Sequence, residues 1–253
     1  MSFKGLNEKV IVVTGAAQGI GAAYAKRLVE EGSTVVIADR NLKGALATAD
    51  RVTGPGSSHA FGFDVSDPDG CRELAKFVEQ HFGRLDGLLN NAAIFSTIQM
   101  KPFWEITLSE WDTLMAVNLR GPWLLTSALL PLLRKSSAAS VVNIGSDSVG
   151  MGRQGYLHYT ASKGGIQGMT FGMSHELGNF GIRVNTLSPG AVQTEIPRGT
   201  VTPGQLEAML DAQALHRTAG PDDMTSLAAF LLSDESGYIT GQTISVNGGI
   251  LHR

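Results

Sequence analysis

Short apolar runs rich in valine, isoleucine and leucine recur along the chain, and longer segments with helical spacing of apolar residues separate them. These runs predict strands at Lys9–Thr14, Thr34–Ala38, Ala60–Val65, Leu85–Asn90, Ser140–Ser146, Ile182–Leu187 and Thr243–Val246. Strands that are apolar at nearly every position are buried on both faces, as in a parallel sheet between two layers of helices. The pattern therefore predicts one α/β domain, residues 1–253, built on a doubly wound parallel sheet of about seven strands.

Two helical segments carry apolar or small residues on more than one face. Trp123–Leu133 is apolar on nearly all sides, which is typical of a helix buried on two faces. Gly164–Gly172 contains four glycines with apolar residues between them, so another helix could approach it closely. We expect packing against another subunit, with tight packing inside one chain as the alternative. Thr107 and Glu110 have the spacing of a capping box and predict the start of a helix.

Composition narrows the class of protein. Hydrophobic residues make up 43% of the chain and charged residues 17%, which suits a folded domain with a sizeable core. A net charge of −3 without runs of like charge argues against a nucleic-acid surface. The longest apolar run, Gly121–Leu133, is shorter than the roughly 20 residues of a membrane span. With a polar N-terminus and the single cysteine Cys71, these features predict a cytoplasmic protein that binds neither nucleic acid nor membrane.

A glycine-rich turn follows the first predicted strand and opens the first helix. It runs from Thr14 to Gly21, and its candidate ligand contacts are Gly15, Gln18, Gly19, Ile20 and Gly21. Glycines let the backbone turn tightly and approach a pyrophosphate, and the helix N-terminus supplies free N–H groups and the positive end of its dipole. Because the turn follows a strand, a Rossmann-type dinucleotide site is favoured over an ordinary strand–turn–helix.

The second strand is followed by Asp39, about 20 residues after the glycines. An acidic side chain there accepts hydrogen bonds from the adenosine ribose hydroxyls and repels a 2′-phosphate, which favours NAD over NADP. Arg40 comes next, and its guanidinium could bind a phosphate, stack on adenine or be a solvated charge. Gln18 adds no second cation to the glycine turn, so the predicted cofactor is NAD.

Tyr159 precedes Lys163 by four residues, with small residues between them. Residues four apart on a helix share a face. The spacing suits an ordinary amphipathic helix, and it also suits a general acid whose proton is loosened by a nearby cation. A fixed ammonium favours the phenolate and lowers the tyrosine pKa from about 10 toward neutrality, where proton transfer is efficient.

Together the motifs resemble the short-chain dehydrogenase/reductase family over nearly the whole chain. The matching elements are the glycine turn, Asp64-Val65, Asn90–Ala93, Asn118, Ser146 thirteen residues before Tyr159, Pro189–Thr194 and the C-terminal Tyr238–Gly249. Their order and spacing carry the resemblance, since no single element is specific. One departure is Ala93, where the family usually has glycine. Alanine would be strained there if the backbone needed a positive φ, and we expect it to be tolerated.

The resemblance implies a catalytic set of Asn118, Ser146, Tyr159 and Lys163. Tyr159 would exchange the substrate's hydroxyl proton, Ser146 would hydrogen-bond the substrate oxygen, Lys163 would hold the nicotinamide ribose, and Asn118 would position a water. Ser146 could instead only cap a helix, and Asn118 could be a hydrogen-bonding residue inside one. The implied cofactor contacts are Gly15, Gln18, Gly19, Ile20, Gly21, Asp39, Asp64, Val65, Asn91, Tyr159, Lys163, Pro189, Val192 and Thr194. A homotetramer is the implied assembly.

Three segments would face the substrate: Phe95–Trp104, Asp147–Leu157 and Glu195–Leu215, the last as a mobile lid. Their apolar residues predict a mostly apolar pocket built from Phe95, Ile98, Met100, Met151, Tyr156 and Ile196. Arg153 and Arg198 are candidates for gripping an anion, without a cluster of cations around them. The predicted reaction is therefore NAD-dependent interconversion of a medium-sized apolar or aromatic secondary alcohol and its ketone.

Other functions remain open at this point. Within the family, the alternatives are a sugar or polyol dehydrogenase and a 3-oxoacyl-thioester reductase, which would be expected to use NADPH and an arginine where Gln18 stands. An alternative of another class is a dinucleotide-binding regulator without turnover, although the presence of all four catalytic residues argues against it. The sequence shows no cluster of metal ligands, so no catalytic metal is predicted.

Overall fold

The computed structural model describes residues 3–197 and 203–252, and within them the chain forms one parallel sheet of seven strands. The strands are β1 (Val10–Thr14), β2 (Thr34–Asp39), β3 (Ser57–Gly62), β4 (Gly87–Asn90), β5 (Ser140–Ile144), β6 (Arg183–Pro189) and β7 (Thr243–Val246). Their order across the sheet is β3-β2-β1-β4-β5-β6-β7. The predicted fold class, a doubly wound Rossmann-type sheet, is confirmed.

Helices connect the strands and cover both faces of the sheet. They are α1 (Gly19–Glu30), α2 (Leu42–Arg51), α3 (Pro68–Phe82), α4 (Leu108–Met115), α5 (Gly121–Leu133), α6 (Ser148–Met151), α7 (Leu157–Gly178), α8 (Pro203–Ala212) and α9 (Asp222–Leu232). Helix α4 begins with the predicted capping box, in which Thr107 and Glu110 each bind the other's backbone N–H through a side-chain oxygen. A π-helical turn, Ala116–Arg120, then joins α4 to α5.

The sequence prediction placed the third strand at Ala60–Val65, and this placement was wrong. The strand β3 runs from Ser57 to Gly62 at one edge of the sheet, where its residues are partly exposed and carry no apolar pattern. Phe63 and Val65, which suggested a strand, are buried after it in the core beside α3. Apolar residues that are buried in the connecting segment therefore gave the same sequence pattern as a strand.

Two apolar layers hold the sheet between the helices. One layer joins the strands to α1 and α9 through side chains such as Leu28 and Leu232. The other joins them to α3 and α5 through side chains such as Leu74 and Leu129. Burial of apolar surface at both faces holds the helices on the sheet, and the helical connections keep the strands parallel with their carboxyl ends at one edge.

The direction of chain winding reverses between β1 and β4. From β1 the chain builds β2 and β3 on one side, and it then returns to place β4 on the other side of β1. A crevice forms at such a switch point, outside the carboxyl ends of the strands. The glycine turn after β1 and the segment after β4 meet there.

Candidate active site

The glycine turn packs so closely that side chains would not fit in it. Gly15 and Gly19 have φ angles of 63° and 60°, which favour glycine. A Cβ on Gly21 would lie 2.1 Å from the carbonyl oxygen of Gly15. Asn91 braces the turn from the end of β4, because its Nδ2 donates to the carbonyl oxygens of Thr14 and Gly15 at 2.9 and 3.0 Å.

Asp39 lies at the end of β2, beside this turn. Its carboxylate accepts hydrogen bonds from the backbone N–H groups of Ala17 and Asn41 at 3.0 and 2.9 Å. These bonds fix the carboxylate at the rim of the cleft, where Arg40 is also exposed. The adenosine end of the predicted dinucleotide site is therefore acidic at Asp39, with one adjacent cation.

Ser146 lies just past the end of β5, between two backbone hydrogen bonds to β6. The N–H of Gly145 donates to Leu187 at 2.8 Å, and the N–H of Asp147 donates to Pro189 at 3.0 Å. The strand was predicted to reach Ser146, but it ends at Ile144. Because the serine lies beyond the strand, its partly exposed side chain borders the cleft.

Tyr159 and Lys163 lie one turn apart on α7 and face the same cleft, as predicted. Lys163 is buried, and its Nζ donates to the carbonyl oxygen of Ile144 at 2.7 Å. Nζ also lies 5.8 Å from the centroid of the Tyr159 ring. Burial lowers the pKa of Lys163 from its usual 10.5 to about 8. The side chain is therefore mostly an ammonium at neutral pH, and a growing fraction of it becomes neutral as the pH rises above 8.

Aromatic rings hold Tyr159 from the side of the substrate segments. Its ring centroid lies 4.7 Å from that of Phe95 and 5.7 Å from that of Tyr156. Tyr159 and Tyr156 are both buried in this cluster, with Leu114 of α4. The packing of these rings fixes the direction of the Tyr159 ring.

Asn118 is buried in the π-helical turn between α4 and α5, behind the cleft. Its Oδ1 accepts from the N–H of Ile94 at 2.7 Å, and its Nδ2 donates to the carbonyl oxygen of Ile94 at 3.1 Å. The same Nδ2 lies 3.5 Å from the Ser162 hydroxyl on α7. Asn118 therefore joins the segment after β4 to the helix that carries Tyr159, and such π-helical turns are frequent at functional sites.

The cleft, with a volume of about 350 Å³, brings together most of the predicted site residues. Its wall includes Ser146, Tyr159, Lys163 and every predicted cofactor contact. Of the predicted substrate residues, Phe95, Met151, Tyr156 and Ile196 also line it. Ile98 packs behind the aromatic cluster, and Met100 lies outside the cleft. Of the two candidate anion-binding residues, Arg153 lines the cleft and Arg198 lies outside the described residues. The structure adds Met209 to the wall.

Ala93 lines the cleft without backbone strain. Among the described residues, the only non-glycine position with a positive φ is Glu8. Alanine therefore fits at position 93, where the resemblance led us to expect glycine.

Asp147 was not among the predicted site residues, and it is fully buried beside Ser146. Its Oδ1 accepts from the hydroxyls of Ser188 and Ser245 at 2.6 and 2.8 Å, and its Oδ2 accepts from Asn247 Nδ2 at 2.5 Å. Through these hydrogen bonds, the Asp147 carboxylate holds the segment that contains Ser146 against β6, β7 and the turn after β7. No local sequence signal could have found it, because its partners are 41 to 100 residues away.

Glu195 was also missed, although it follows directly on the predicted cofactor contact Thr194. Its Oε1 accepts a hydrogen bond of 2.7 Å from the N–H of Gly19, at the N-terminus of α1. Ile196 packs over the same turn, 3.0 Å from the place where a Cβ of Gly19 would lie. A carboxylate therefore occupies part of the helix end that a pyrophosphate would use.

We expect Glu195→Gln to bind a dinucleotide roughly two- to fivefold more tightly, because a like charge is removed from the N-terminus of α1. Titration of dinucleotide binding by fluorescence or calorimetry would measure the change. Glu207→Gln on α8 is the matched control, since it removes an equal but exposed charge from the same segment. Equal affinities of the wild type and Glu195→Gln would show that the contact with Gly19 does not oppose binding.

Residues 15–251 match the family model described as enoyl-(acyl carrier protein) reductase. The chain is 34% identical to a 3-oxoacyl-[acyl-carrier-protein] reductase of Thermotoga maritima, over 97% of this chain and 99% of that protein. It is 34% identical to the D-threitol dehydrogenase of Mycolicibacterium smegmatis, over 96% and 93% of the two chains. It is 32% identical to the cyclopentanol dehydrogenase of a Comamonas strain, over 96% and 97%.

The fold also matches solved structures. A short-chain dehydrogenase/reductase from Brucella melitensis, described as glucose/ribitol dehydrogenase, superposes with a TM-score of 0.92 at 31% identity over all of both chains. The chain belongs to the short-chain dehydrogenase/reductase family. It is thus an oxidoreductase of a family that uses NAD(P) as its cofactor.

Within residues 3–197 and 203–252, no helix is both long and apolar enough to cross a membrane. In the same part of the chain, no group of three or more His, Cys, Asp or Glu side chains is arranged to hold a metal ion.

Proposed function

We propose that the protein is an NAD-dependent oxidoreductase that interconverts a medium-sized apolar or aromatic secondary alcohol and its ketone. One observation carries the proposal: the glycine turn, Ser146, Tyr159 and Lys163 all line one cleft at the carboxyl ends of the central strands. This reaction needs a bound hydride carrier and a group that moves a proton, and the cleft has residues suited to each task.

The residues at the adenosine end fit NAD better than NADP. The positive φ angles of Gly15 and Gly19 and the close packing at Gly21 leave a cradle for a dinucleotide. Asp39 lies at the rim of this cradle, where a carboxylate accepts hydrogen bonds from the ribose hydroxyls and repels a 2′-phosphate. Arg40 is exposed beside it and would be the residue to favour NADP.

When bound, the dinucleotide supplies the acceptor for the hydride that leaves the carbinol carbon. Tyr159 accepts the hydroxyl proton of the alcohol, and the nearby Lys163 ammonium stabilises the tyrosine in its charged form. Ser146 donates a hydrogen bond to the substrate oxygen. In ketone reduction, Tyr159 returns the proton, so one phenol serves both directions.

The wall around Tyr159 supports an apolar substrate. Phe95 and Tyr156 pack against the Tyr159 ring, and Met151, Ile196 and Met209 also line the cleft. A mostly apolar pocket with a few placed polar groups is the usual form of a small-molecule site. Polyol oxidation and 3-oxoacyl-thioester reduction remain the alternatives, since two of the relatives carry those names.

Steady-state oxidation of aliphatic, aryl and polyol secondary alcohols, each with NAD and with NADP, tests the proposal. We expect NAD-linked turnover that is fastest with medium aliphatic or aryl alcohols. Activity only with NADPH and an acyl-thioester ketone would replace the proposal with the thioester reductase. Cofactor binding without turnover of any compound would instead indicate a dinucleotide-binding regulator.

We also propose that the chain forms a homotetramer through the outer faces of α5 and α7. Trp123 on α5 and Phe171 on α7 are 52% and 47% exposed, and large exposed apolar side chains are typical of protein interfaces. Ser127 and Pro131 extend the exposed face of α5 at helical spacing. Light scattering should give four chain masses for the wild type and fewer for Trp123→Glu, and a monomeric wild type would contradict the proposal.

A further inference from the structure

A second, outer cavity of about 880 Å³ lies beside the active-site cleft. It forms between the segment after β4 and the segment between α6 and α7, which are joined by a 2.9 Å hydrogen bond from the N–H of Lys101 to Gly155. Five side chains give the outer cavity its apolar wall: Met100, Pro102, Phe103, Trp104 and Leu157. Nothing in the proposed reaction at Tyr159 uses this space.

The aromatic part of that wall is largely exposed. Trp104 and Phe103 are 72% and 62% exposed, and their rings meet edge to face with centroids 5.1 Å apart. Aromatic surface left open at the mouth of a cavity is typical of a place where a ligand or another protein binds.

Arg153 lines both the outer cavity and the active-site cleft. Its guanidinium carbon lies 5.7 Å from the centroid of the Tyr156 ring, and the Tyr156 ring is 5.7 Å from that of Tyr159. The arginine is partly buried, yet no carboxylate among the described residues forms an ion pair with it. A cation held in this way, at the boundary between the cleft and the outer cavity, can bind an anion that comes from outside the chain.

Lys101, the other cation of the outer cavity, is already paired. Its Nζ lies 2.6 Å from Oε1 of Glu110 on α4. Charge complementarity therefore singles out Arg153 as the anion partner.

Helix α8 borders both the active-site cleft and the outer cavity. Gln205 borders the outer cavity, and Met209, one turn further along α8, borders the cleft. Residues four apart share one face of a helix, so one face of α8 extends over both spaces. A single elongated molecule could lie under that face, from Tyr159 to the outer cavity.

We propose that the outer cavity receives the distal end of an elongated alcohol or ketone substrate, and that this end carries an anion bound by Arg153. The inference rests on the proposed function, because the near end of the molecule must reach Tyr159. The substrate class is then a secondary alcohol or ketone with an apolar body and a terminal carboxylate or phosphate. The cation–π contact with the Tyr156 ring orients the guanidinium, and either oxyanion can accept two hydrogen bonds from it.

A matched series of methyl ketones tests the proposal. Ketones of increasing chain length would be prepared with a terminal carboxylate, a terminal phosphate monoester or a neutral terminal methyl ester. Two quantities are measured with the cofactor-saturated enzyme: kcat/KM, and the dissociation constant from quenching of tryptophan fluorescence. Trp104 lines the outer cavity, so Trp104→Phe should lose the quenching signal.

In the wild type we expect one or both charged series to exceed the ester roughly tenfold or more in kcat/KM, with an optimum at one chain length. Arg153→Gln should bring the ratio of charged to neutral ketone close to one, and Arg153→Lys should restore part of it. Arg134→Gln is the matched control, because Arg134, at the end of α5, also contacts an aromatic ring, that of Phe180, but lines neither the cleft nor the outer cavity. It should keep the wild-type ratio.

The two charged series identify the source of the anion. Preference for the carboxylate indicates an oxo or hydroxy acid, and preference for the phosphate indicates a phosphorylated or nucleotide-linked substrate. An equal kcat/KM for charged and neutral ketones in the wild type would overturn the inference and leave the proposed function standing. Binding of charged ketones through Arg153 without any turnover would support the inference and overturn the proposed function.

A second copy of this chain is the other candidate occupant. In that case, Trp104→Ser would lower the mass measured by light scattering, while the ratio of charged to neutral ketone would stay the same in Arg153→Gln. Those two results together would assign the aromatic wall to an interface between subunits and overturn the inference.

Discussion

Tyr159→Phe should abolish nearly all turnover, with kcat falling roughly 10²- to 10⁴-fold. The substitution removes only the phenolic oxygen, so the reaction loses the group that takes the proton of the alcohol. The ring itself remains, and its contacts with Phe95 and Tyr156 keep it in place. We therefore expect an unchanged melting temperature and unchanged NAD affinity, measured by thermal unfolding and by fluorescence titration.

Tyr156→Phe is the matched control for this experiment. Tyr156 is a buried phenol in the same aromatic cluster, and its ring lies 5.7 Å from that of Tyr159. Loss of its oxygen should cost far less than loss of the Tyr159 oxygen. If Tyr159→Phe kept substantial activity, or if both variants lost activity equally, Tyr159 would not be the general acid and base.

Much of this site could be predicted from the sequence, because its motifs are local. The glycine turn is read from a few adjacent residues, and the Tyr159–Lys163 pair follows from helical spacing. Each motif also follows a strand or lies on a helix that the apolar pattern predicts. Because strands alternate with helices, the strands are parallel and their carboxyl ends lie at the same edge of the sheet. Residues distant in the chain therefore share one cleft.

The features that the sequence missed depend on contacts between distant segments. Asp147 binds Ser188, Ser245 and Asn247, and Glu195 binds the backbone of Gly19, which is 176 residues away. No periodicity or spacing reports such contacts. The misplaced third strand has a different cause, because an edge strand need not be apolar and a buried turn can be.

Asp39→Ala should weaken NAD binding roughly 10- to 100-fold and weaken NADP binding far less. The carboxylate lies at the rim of the cleft, where it can accept the ribose hydroxyls through charge-assisted hydrogen bonds. Its removal also removes the charge that would repel a 2′-phosphate, and Arg40 stays exposed beside the site. Dissociation constants for NAD and NADP, measured on the wild type and the variant, give the ratio that tests this.

Asp39 has a second task, and it requires a second variant. The carboxylate also accepts the N–H of Ala17 in the glycine turn, so Asp39→Ala loosens the turn for both cofactors. Asp39→Asn keeps an oxygen for that N–H but removes the charge. If charge sets the preference, both variants shift the NAD-to-NADP ratio in the same direction. If only Asp39→Ala loses affinity, and it loses it equally for NAD and NADP, then Asp39 acts as a brace of the turn, and the cofactor assignment to NAD falls with it.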